Sequence, residues 1–225
     1  MIRQLAFDLP TQADYRRDSF FLSPANAVAF ASVEGWRDWP GGKLLLVGPS
    51  GAGKTHLAHI WAEESNAAFV AANDLSALDL PALCAQGAVV IEDAEDVAGQ
   101  PQAEEALFHL HNLLLPQGRL LLTAASPARD WGLALPDLKS RIEATPIARL
   151  NGPDDALLSA VLVKLFADRQ VTVPPSLIPW LVSRMERSIC AARELVAALD
   201  QQALAQGKPI SRGMAAALLD REDAE

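Results

Sequence analysis

The sequence predicts an α/β protein in which a parallel five-stranded sheet is followed by a small all-α region. Short apolar runs alternate with amphipathic stretches as far as about residue 150, and only helical patterns follow. The polar segment NGPDD at 151–155 separates the alternating part of the chain from the helical part. Alternating strands and helices favour a parallel sheet with helices on both faces. Half of the 225 residues are hydrophobic, enough for one large or two modest cores.

The elements follow in order along the chain. Five apolar runs predict strands at 43–48, 67–72, 88–93, 119–125 and 145–150. Helical patterns precede and separate these strands at 23–36, 55–66, 75–86, 103–118 and 135–144. We expect the first helix to use Ser23 as its N-cap and Pro24 as its first residue, and the fourth to end at Pro116 and Gly118. Four more helices are predicted within 154–170, 175–185, 188–206 and 211–222.

Composition restricts the class of protein. The formal net charge is −9, with no basic tail, which disfavours strong direct binding to DNA because phosphate contacts supply most non-specific affinity. No apolar run approaches the roughly 20 residues of a membrane span. Arg3, Asp8 and Pro10 interrupt any signal-peptide pattern, and Cys84 and Cys190 stand far apart in apolar settings. We therefore expect a cytoplasmic protein with reduced thiols that does not bind membranes.

The strongest motif is GPSGAGKT at 48–55, which matches G-x-x-x-x-G-K-[ST] between a predicted strand and a predicted helix. Gly51 and Gly53 let backbone N–H groups wrap around an anion, and the following helix directs its positive dipole end at it. Lys54 would reach the β- and γ-phosphates, and the Thr55 hydroxyl would ligate Mg²⁺. The motif predicts that ATP or ADP is bound with Mg²⁺ by Pro49, Ser50, Gly51, Ala52, Gly53, Lys54 and Thr55; the family resemblance described below extends through His56 and implies a contact from that residue as well.

Two acids close the predicted strand 88–93, where a P-loop protein needs carboxylates beside Mg²⁺. We expect Glu92 and Asp93 to act together there, one on the ion and one on the attacking water; a solvated turn is the alternative. Many P-loop proteins of this kind have Asp where Glu92 stands. A carboxylate displaced by about 1 Å can cost roughly 10²-fold in rate. We therefore expect good nucleotide binding and, at most, weak ATPase activity.

With these motifs in place, the chain resembles the DnaA family of AAA+ ATPases over its whole length. DSFFLSPANAVAFA at 18–31 is similar to the segment that cups the adenine, which implies contacts from Phe21, Leu22 and Asn26. LLLTAASPARDW at 120–131 resembles the sensor 1 region and implies a role for Thr123, although the following Ala124 and Ala125 are not polar.

Two arginines receive roles from the same resemblance. LPDLKSRI at 135–142 is close to the arginine-finger box and implies that Arg141 acts in trans on a neighbour's nucleotide. AARELVAALDQ at 191–201 resembles the sensor 2 helix and implies that Arg193 contacts the γ-phosphate. A guanidinium suits either task because its planar fork of donors matches phosphate oxygens. An ordinary surface salt bridge is the alternative for each.

Within this family, the chain resembles the short Hda branch. The sequence ends at Glu225, just after the predicted helical region, and is acidic, which favours a regulator over an origin-binding initiator. The resemblance implies that this chain acts with the DNA-loaded sliding clamp to make DnaA hydrolyse its bound ATP. The expected partners are the clamp β subunit and the AAA+ domain of DnaA, with homo-oligomers also expected. A motor or helicase loader that uses its own turnover, or a DNA-binding initiator fragment, are the alternatives.

The N-terminal stretch QLAFDL at 4–9 fits that reading. Clamp partners carry Q-L-x-[LF]-type peptides on flexible termini, and Gln4, Leu5, Phe7 and Leu9 resemble their anchors. An apolar tip or edge strand is the alternative. We accordingly predict a flexible clamp-binding tail and linker over 1–17, an AAA+ nucleotide-binding domain over 18–152 and a helical lid domain over 153–225.

Overall fold

A computed structural model describes residues 15–114 and 118–222. The N-terminal peptide at 4–9 and Pro116 lie outside the described residues. The strands are β1 (Lys43–Val47), β2 (Ala68–Ala71), β3 (Ala88–Glu92), β4 (Arg119–Ala124) and β5 (Ile147–Arg149). The helices are α1 (Ala27–Glu34), α2 (Lys54–Ser65), α3 (Leu80–Cys84), α4 (Pro101–Leu113), α5 (Pro136–Glu143), α6 (Asp155–Asp168), α7 (Leu177–Val182), α8 (Ile189–Gln206) and α9 (Arg212–Glu222).

The five strands form one parallel sheet in the order β2-β3-β4-β1-β5, which confirms the predicted fold class. Side chains alternate between the faces of a strand, so the two faces of β1 enter different cores. Leu45 and Val47 pack with residues of α4 and α5, whereas Leu44 and Leu46 pack with α1 and α2. Because the sheet is parallel, the loops after β1, β3 and β4 meet at one edge.

The helices α6 to α9 share a separate hydrophobic cluster that includes Leu162, Phe166, Leu181, Leu195 and Leu199. Each of these five residues is 2% exposed or less. The division at residues 152 and 153 agrees with this separate cluster but stays a prediction. Among residues 15–114 and 118–222, no helix is both long enough and apolar enough to cross a membrane.

The predicted start of the first helix is wrong. The helix begins at Ala27 with Asn26 as N-cap, and residues 24–26 form a turn. The Ser23 hydroxyl accepts a hydrogen bond from the N–H of Ala25 at 3.2 Å, within that turn. The Ala25 carbonyl accepts a bond from the N–H of Asn151 at 3.1 Å, a contact between distant segments. This long-range bond takes an acceptor that a helix starting at Pro24 would use internally.

The helix predicted at 75–86 is present but shorter than predicted. A 3₁₀ helix occupies Ala72–Ala77, and α3 covers only Leu80–Cys84. Asp79 starts α3 as its N-cap by accepting a hydrogen bond from the N–H of Ala82 at 3.2 Å. Pro81 follows in the first turn, where its missing N–H is harmless; inside a longer helix it would break the ladder. The helix predicted at 103–118 is α4, whose C-cap is Leu114.

Candidate nucleotide-binding site

The loop between β1 and α2 has the geometry of a phosphate cradle. Gly51 and Gly53 have φ angles of +68° and +98°, in the left-handed region that favours glycine. A Cβ on Gly48 would lie 2.7 Å from the carbonyl oxygen of Leu150, so this position also requires glycine. Lys54 begins α2, and its Nζ donates to the carbonyl oxygens of Gly48 at 2.8 Å and Pro49 at 3.2 Å. The ammonium therefore lies over the loop that would hold an anion.

A cleft of about 600 Å³ opens beside this loop, a size that suits a small-molecule ligand. The loop, the segment before α1 and the helices α6 and α8 form its walls. The predicted site residues that line it are Phe21, Asn26, Ser50, Gly51, Gly53, Lys54, Thr55, His56, Asp93 and Arg193. Leu22 is 59% exposed, Ala52 is buried and Pro49 is exposed, and none of these three lines the cleft.

The segment before α1 is organised by Asn26, which is 3% exposed. Its Nδ2 donates to the carbonyl oxygen of Phe21 at 2.8 Å, and its Oδ1 accepts from the N–H of Ser23 at 2.9 Å. Phe20, which the sequence analysis did not select, lies in the cleft wall with its ring centroid 5.2 Å from that of His56. Asn26 thus fixes the backbone that presents an aromatic surface to the cleft.

The two predicted acids face different surroundings. Asp93 lines the cleft and has a φ of +50°. Its N–H donates to the Oγ1 of Thr123 at 3.0 Å, so the fully buried Thr123 joins the ends of β3 and β4. Glu92 ends β3 on the same face as Val90, toward α2. Burial lowers the pKa of His59 on α2, and the nearby Glu92 charge opposes that shift.

A third acid, Glu95, lies near the phosphate loop and was not selected from the sequence. Its Oε1 accepts a hydrogen bond from the N–H of Ala125 at 2.5 Å. Within the part of the chain that the structure describes, its buried Oε2 has no hydrogen-bond partner. Burial raises the pKa of Glu95, the Asp93 charge adds to this, and the Ala125 hydrogen bond and Lys54 charge oppose it. Glu95 lies in a 3₁₀ helix after β3, where strand periodicity gives no orientation.

The helical region closes the cleft through the start of α8. The N–H of Ile189 donates to the carbonyl oxygen of Gly51 at 3.0 Å. Ser188 caps α8 by accepting from the N–H groups of Cys190 at 3.1 Å and Ala191 at 3.3 Å. Arg193 follows Ile189 by four residues and therefore lies on the same side of α8, where it lines the cleft.

Arg141 lies at the other end of the sheet. It is exposed in the last turn of α5, with its Cζ 5.4 Å from the centroid of the Phe108 ring, and its charge acts on Lys43 at the start of β1. The P-loop follows the opposite end of β1, four residue steps or about 13 Å further along the strand. Arg141 therefore faces away from its own cleft. Within the described residues, neither Arg141 nor Arg193 forms an ion pair.

Comparisons with known proteins agree on the relationship and the fold. No protein-family model matches the chain. The chromosomal replication initiator DnaA of Thermomicrobium roseum is 28% identical over 240 aligned positions, which cover 93% of this chain and 50% of that protein. DnaA of Cutibacterium acnes is 26% identical, over 82% of this chain and 41% of that protein. The chain thus spans about half the length of the curated relatives that it matches.

Solved structures give the fold. Domain III of Thermotoga maritima DnaA superposes with a TM-score of 0.78 at 18% identity, over 94% of this chain and 98% of that one. AMPPCP-bound DnaA of Aquifex aeolicus superposes with a TM-score of 0.70 at 15% identity, over 85% of this chain and 66% of that one. Over most of its length, this chain is therefore similar in sequence to DnaA and has the fold of DnaA domain III.

Proposed function

We propose that this chain is a nucleotide-binding AAA+ regulator of the Hda type. With the DNA-loaded sliding clamp, it would stimulate DnaA to hydrolyse its bound ATP and so prevent re-initiation of replication. The observation that carries the proposal is the position of the two arginines. Arg193 lines the chain's own cleft, whereas Arg141 is exposed at the opposite end of the sheet. A protein with this arrangement can hold one nucleotide itself and present an arginine to a nucleotide held by a neighbour.

The cleft residues fit ATP or ADP with Mg²⁺. Gly51 and Gly53 turn the backbone around the position of an anion, and Lys54 lines the same cleft. Thr55 and Asp93 line the cleft and offer the oxygen donors that would hold the ion. When bound, Mg²⁺ would supply positive charge between phosphate oxygens. DnaA of Aquifex aeolicus has been solved with AMPPCP, which supports an adenine nucleotide in the related cleft here.

Weak hydrolysis is part of the proposal. The Thr123 hydroxyl accepts a hydrogen bond from the N–H of Asp93. Ala124 and Ala125, which follow Thr123, offer no polar side chain to an attacking water. Glu92 is on the face of β3 toward α2 rather than in the cleft lining. The residues therefore favour holding a nucleotide over turning it over. In this reading the bound nucleotide sets the position of α8 through Arg193.

Clamp binding would come from Gln4, Leu5, Phe7 and Leu9, which lie outside the described residues. The first described residue, Tyr15, stacks on His59 with ring centroids 4.3 Å apart, and His59 stacks on Phe69 at 4.1 Å. This stack fixes the chain beside β2 just after the proposed clamp peptide. Five residues lie between Leu9 and Tyr15, and these six residue steps span up to about 20 Å when extended. The peptide could thus engage a clamp without displacing the domain.

The decisive experiment compares Arg141→Met with Arg184→Met. Both are exposed arginines near an aromatic ring, since the Cζ of Arg184 lies 4.6 Å from the Trp180 ring centroid. We expect Arg141→Met to reduce stimulation of DnaA ATP hydrolysis on clamp-loaded DNA by at least about 10²-fold, because such fingers contribute roughly 10³–10⁵. Nucleotide binding should be unchanged in both variants, and Arg184→Met should stimulate normally.

Stimulation that survives Arg141→Met would disprove the role of that residue. Joint replacement of Gln4 and Leu5 by alanine should abolish clamp binding while nucleotide binding persists. Intrinsic turnover of several ATP per second would instead favour a loader or motor. Salt-sensitive binding to bare duplex DNA would favour an initiator fragment.

A further inference from the structure

Lys43 is a buried cation with few contacts that could offset the loss of its hydration. It is 5% exposed, and among residues 15–114 and 118–222 its Nζ approaches a polar partner only at the carbonyl oxygen of Gly41, 3.5 Å away. Within the described residues it forms no ion pair. Burial lowers its pKa, and the nearby Arg141 charge lowers it further. An ammonium in such a position is costly unless an opposite charge or several hydrogen bonds accompany it.

His111 is a second buried polar group with an unmet hydrogen-bonding atom. It is 6% exposed, in the last turn of α4. Its Nδ1 is buried and, among residues 15–114 and 118–222, has no hydrogen-bond partner. Burial, then the charges of Lys43 and Arg141, lower the pKa of His111 to about 4. The ring is therefore neutral at neutral pH and can donate one N–H without carrying charge.

The fold directs these groups to one place. Lys43 precedes Leu45 and Val47 by even steps and so lies on the face of β1 that α4 and α5 cover. His111 follows the buried Leu107 by four residues on α4, and Arg141 follows the buried Leu138 by three on α5. The Arg141 charge acts on Lys43, and the charges of Lys43 and Arg141 act on His111, which agrees with this convergence.

We propose that Lys43, His111 and Arg141 form a second anion-binding site, which takes a phosphate group at the end of the sheet opposite the P-loop. Arg141 is exposed and would offer its donor fork, while the buried Lys43 and His111 would add a point charge and a neutral N–H. A phosphate dianion would carry two negative charges, which would balance the positive charges of Lys43 and Arg141. Inorganic phosphate is one source. The terminal phosphate of a neighbouring subunit's nucleotide is the other, and that source rests on the proposed function.

The site is tested in the full chain carrying Lys54→Met, which disables the P-loop. Inorganic phosphate is titrated at constant ionic strength while the histidine ring signals are followed by NMR. We expect a saturable shift of the His111 signals and no shift of His109, an exposed histidine on the same helix. Adding Lys43→Met should weaken the apparent phosphate affinity by about tenfold, because the substitution removes a positive charge near the phosphate.

Several outcomes would overturn the site. They are unmoved His111 signals, equal shifts at His109 and His111, and unchanged affinity in Lys43→Met. Should Lys43→Met fail to fold, the surface variant Arg141→Met must lower the affinity instead. A second arm measures stimulation of DnaA by Lys43→Met, which we expect to fall about tenfold. Normal stimulation despite a positive NMR result would overturn the nucleotide source alone. Because the NMR arm needs no DnaA, it can succeed or fail independently of the proposed function.

Discussion

Replacing Gly51 with alanine should break the contact between the phosphate loop and α8. The new Cβ would lie 2.0 Å from the Oγ of Ser188 and 2.9 Å from its Cβ, distances that require one side to move. Ser188 caps α8, and the N–H of the next residue donates to the Gly51 carbonyl oxygen. The variant therefore combines backbone strain at a φ of +68° with the loss of a cap and of a hydrogen bond.

Each cost has a known scale. An L-residue in the left-handed region loses about 1 kcal/mol, a lost Ser cap costs about 1 kcal/mol, and a lost hydrogen bond costs about 1 kcal/mol. The total of about 3 kcal/mol corresponds to a decrease of roughly 10 °C in melting temperature for a chain of this size. The assay is thermal and urea unfolding of the nucleotide-free protein, so that lost ligand binding does not contribute.

Gly87→Ala is the matched control. Gly87 has a φ of +78°, and a Cβ there would meet nothing within 4 Å, so only the strain of about 1 kcal/mol applies. Ser188→Gly removes both clashing atoms while keeping an acceptable N-cap residue. In that background Gly51→Ala should cost only the strain. Equal costs for Gly51→Ala in both backgrounds, matching Gly87→Ala, would refute the docking contact.

Two further predictions concern the cleft and the buried histidine. Arg193→Met should weaken ATP binding by about tenfold and ADP binding less, because the arginine would contact the terminal phosphate of ATP. The assay is a fluorescent-nucleotide titration, with Arg187→Met, which removes an exposed ion pair, as the control. Equal losses of affinity for the two nucleotides would contradict the assignment. For His111, the folded-state pKa of about 4 lies below the ordinary 6.5, so the unfolded chain binds the proton first. The free energy of unfolding should therefore decline as the pH falls from 6.5 to 4, and the decline should be less steep in His111→Phe than in the unmodified protein. Identical pH profiles for the two proteins would exclude a contribution of His111 protonation to stability.

Much of the fold follows from local sequence patterns. Each strand of the sheet is a short apolar run whose branched side chains suit a buried position, and all five predicted strands are present. The phosphate loop was equally visible, because its glycines are needed for local backbone angles that other residues rarely adopt. Such features depend on near neighbours in sequence, so they could be predicted before any tertiary contact was known.

Other features depend on distant contacts and escaped the sequence analysis. The first helix starts late because Asn151 bonds the Ala25 carbonyl, and Glu95 reaches Ala125 across the sheet edge. Lys43 looked like the polar start of a strand until α4 and α5 covered it. The sequence by itself determined the alternation of elements and the phosphate loop. Only the tertiary structure decided which charged groups lose water and which meet, because burial and electrostatic pairing arise from segments far apart in the chain.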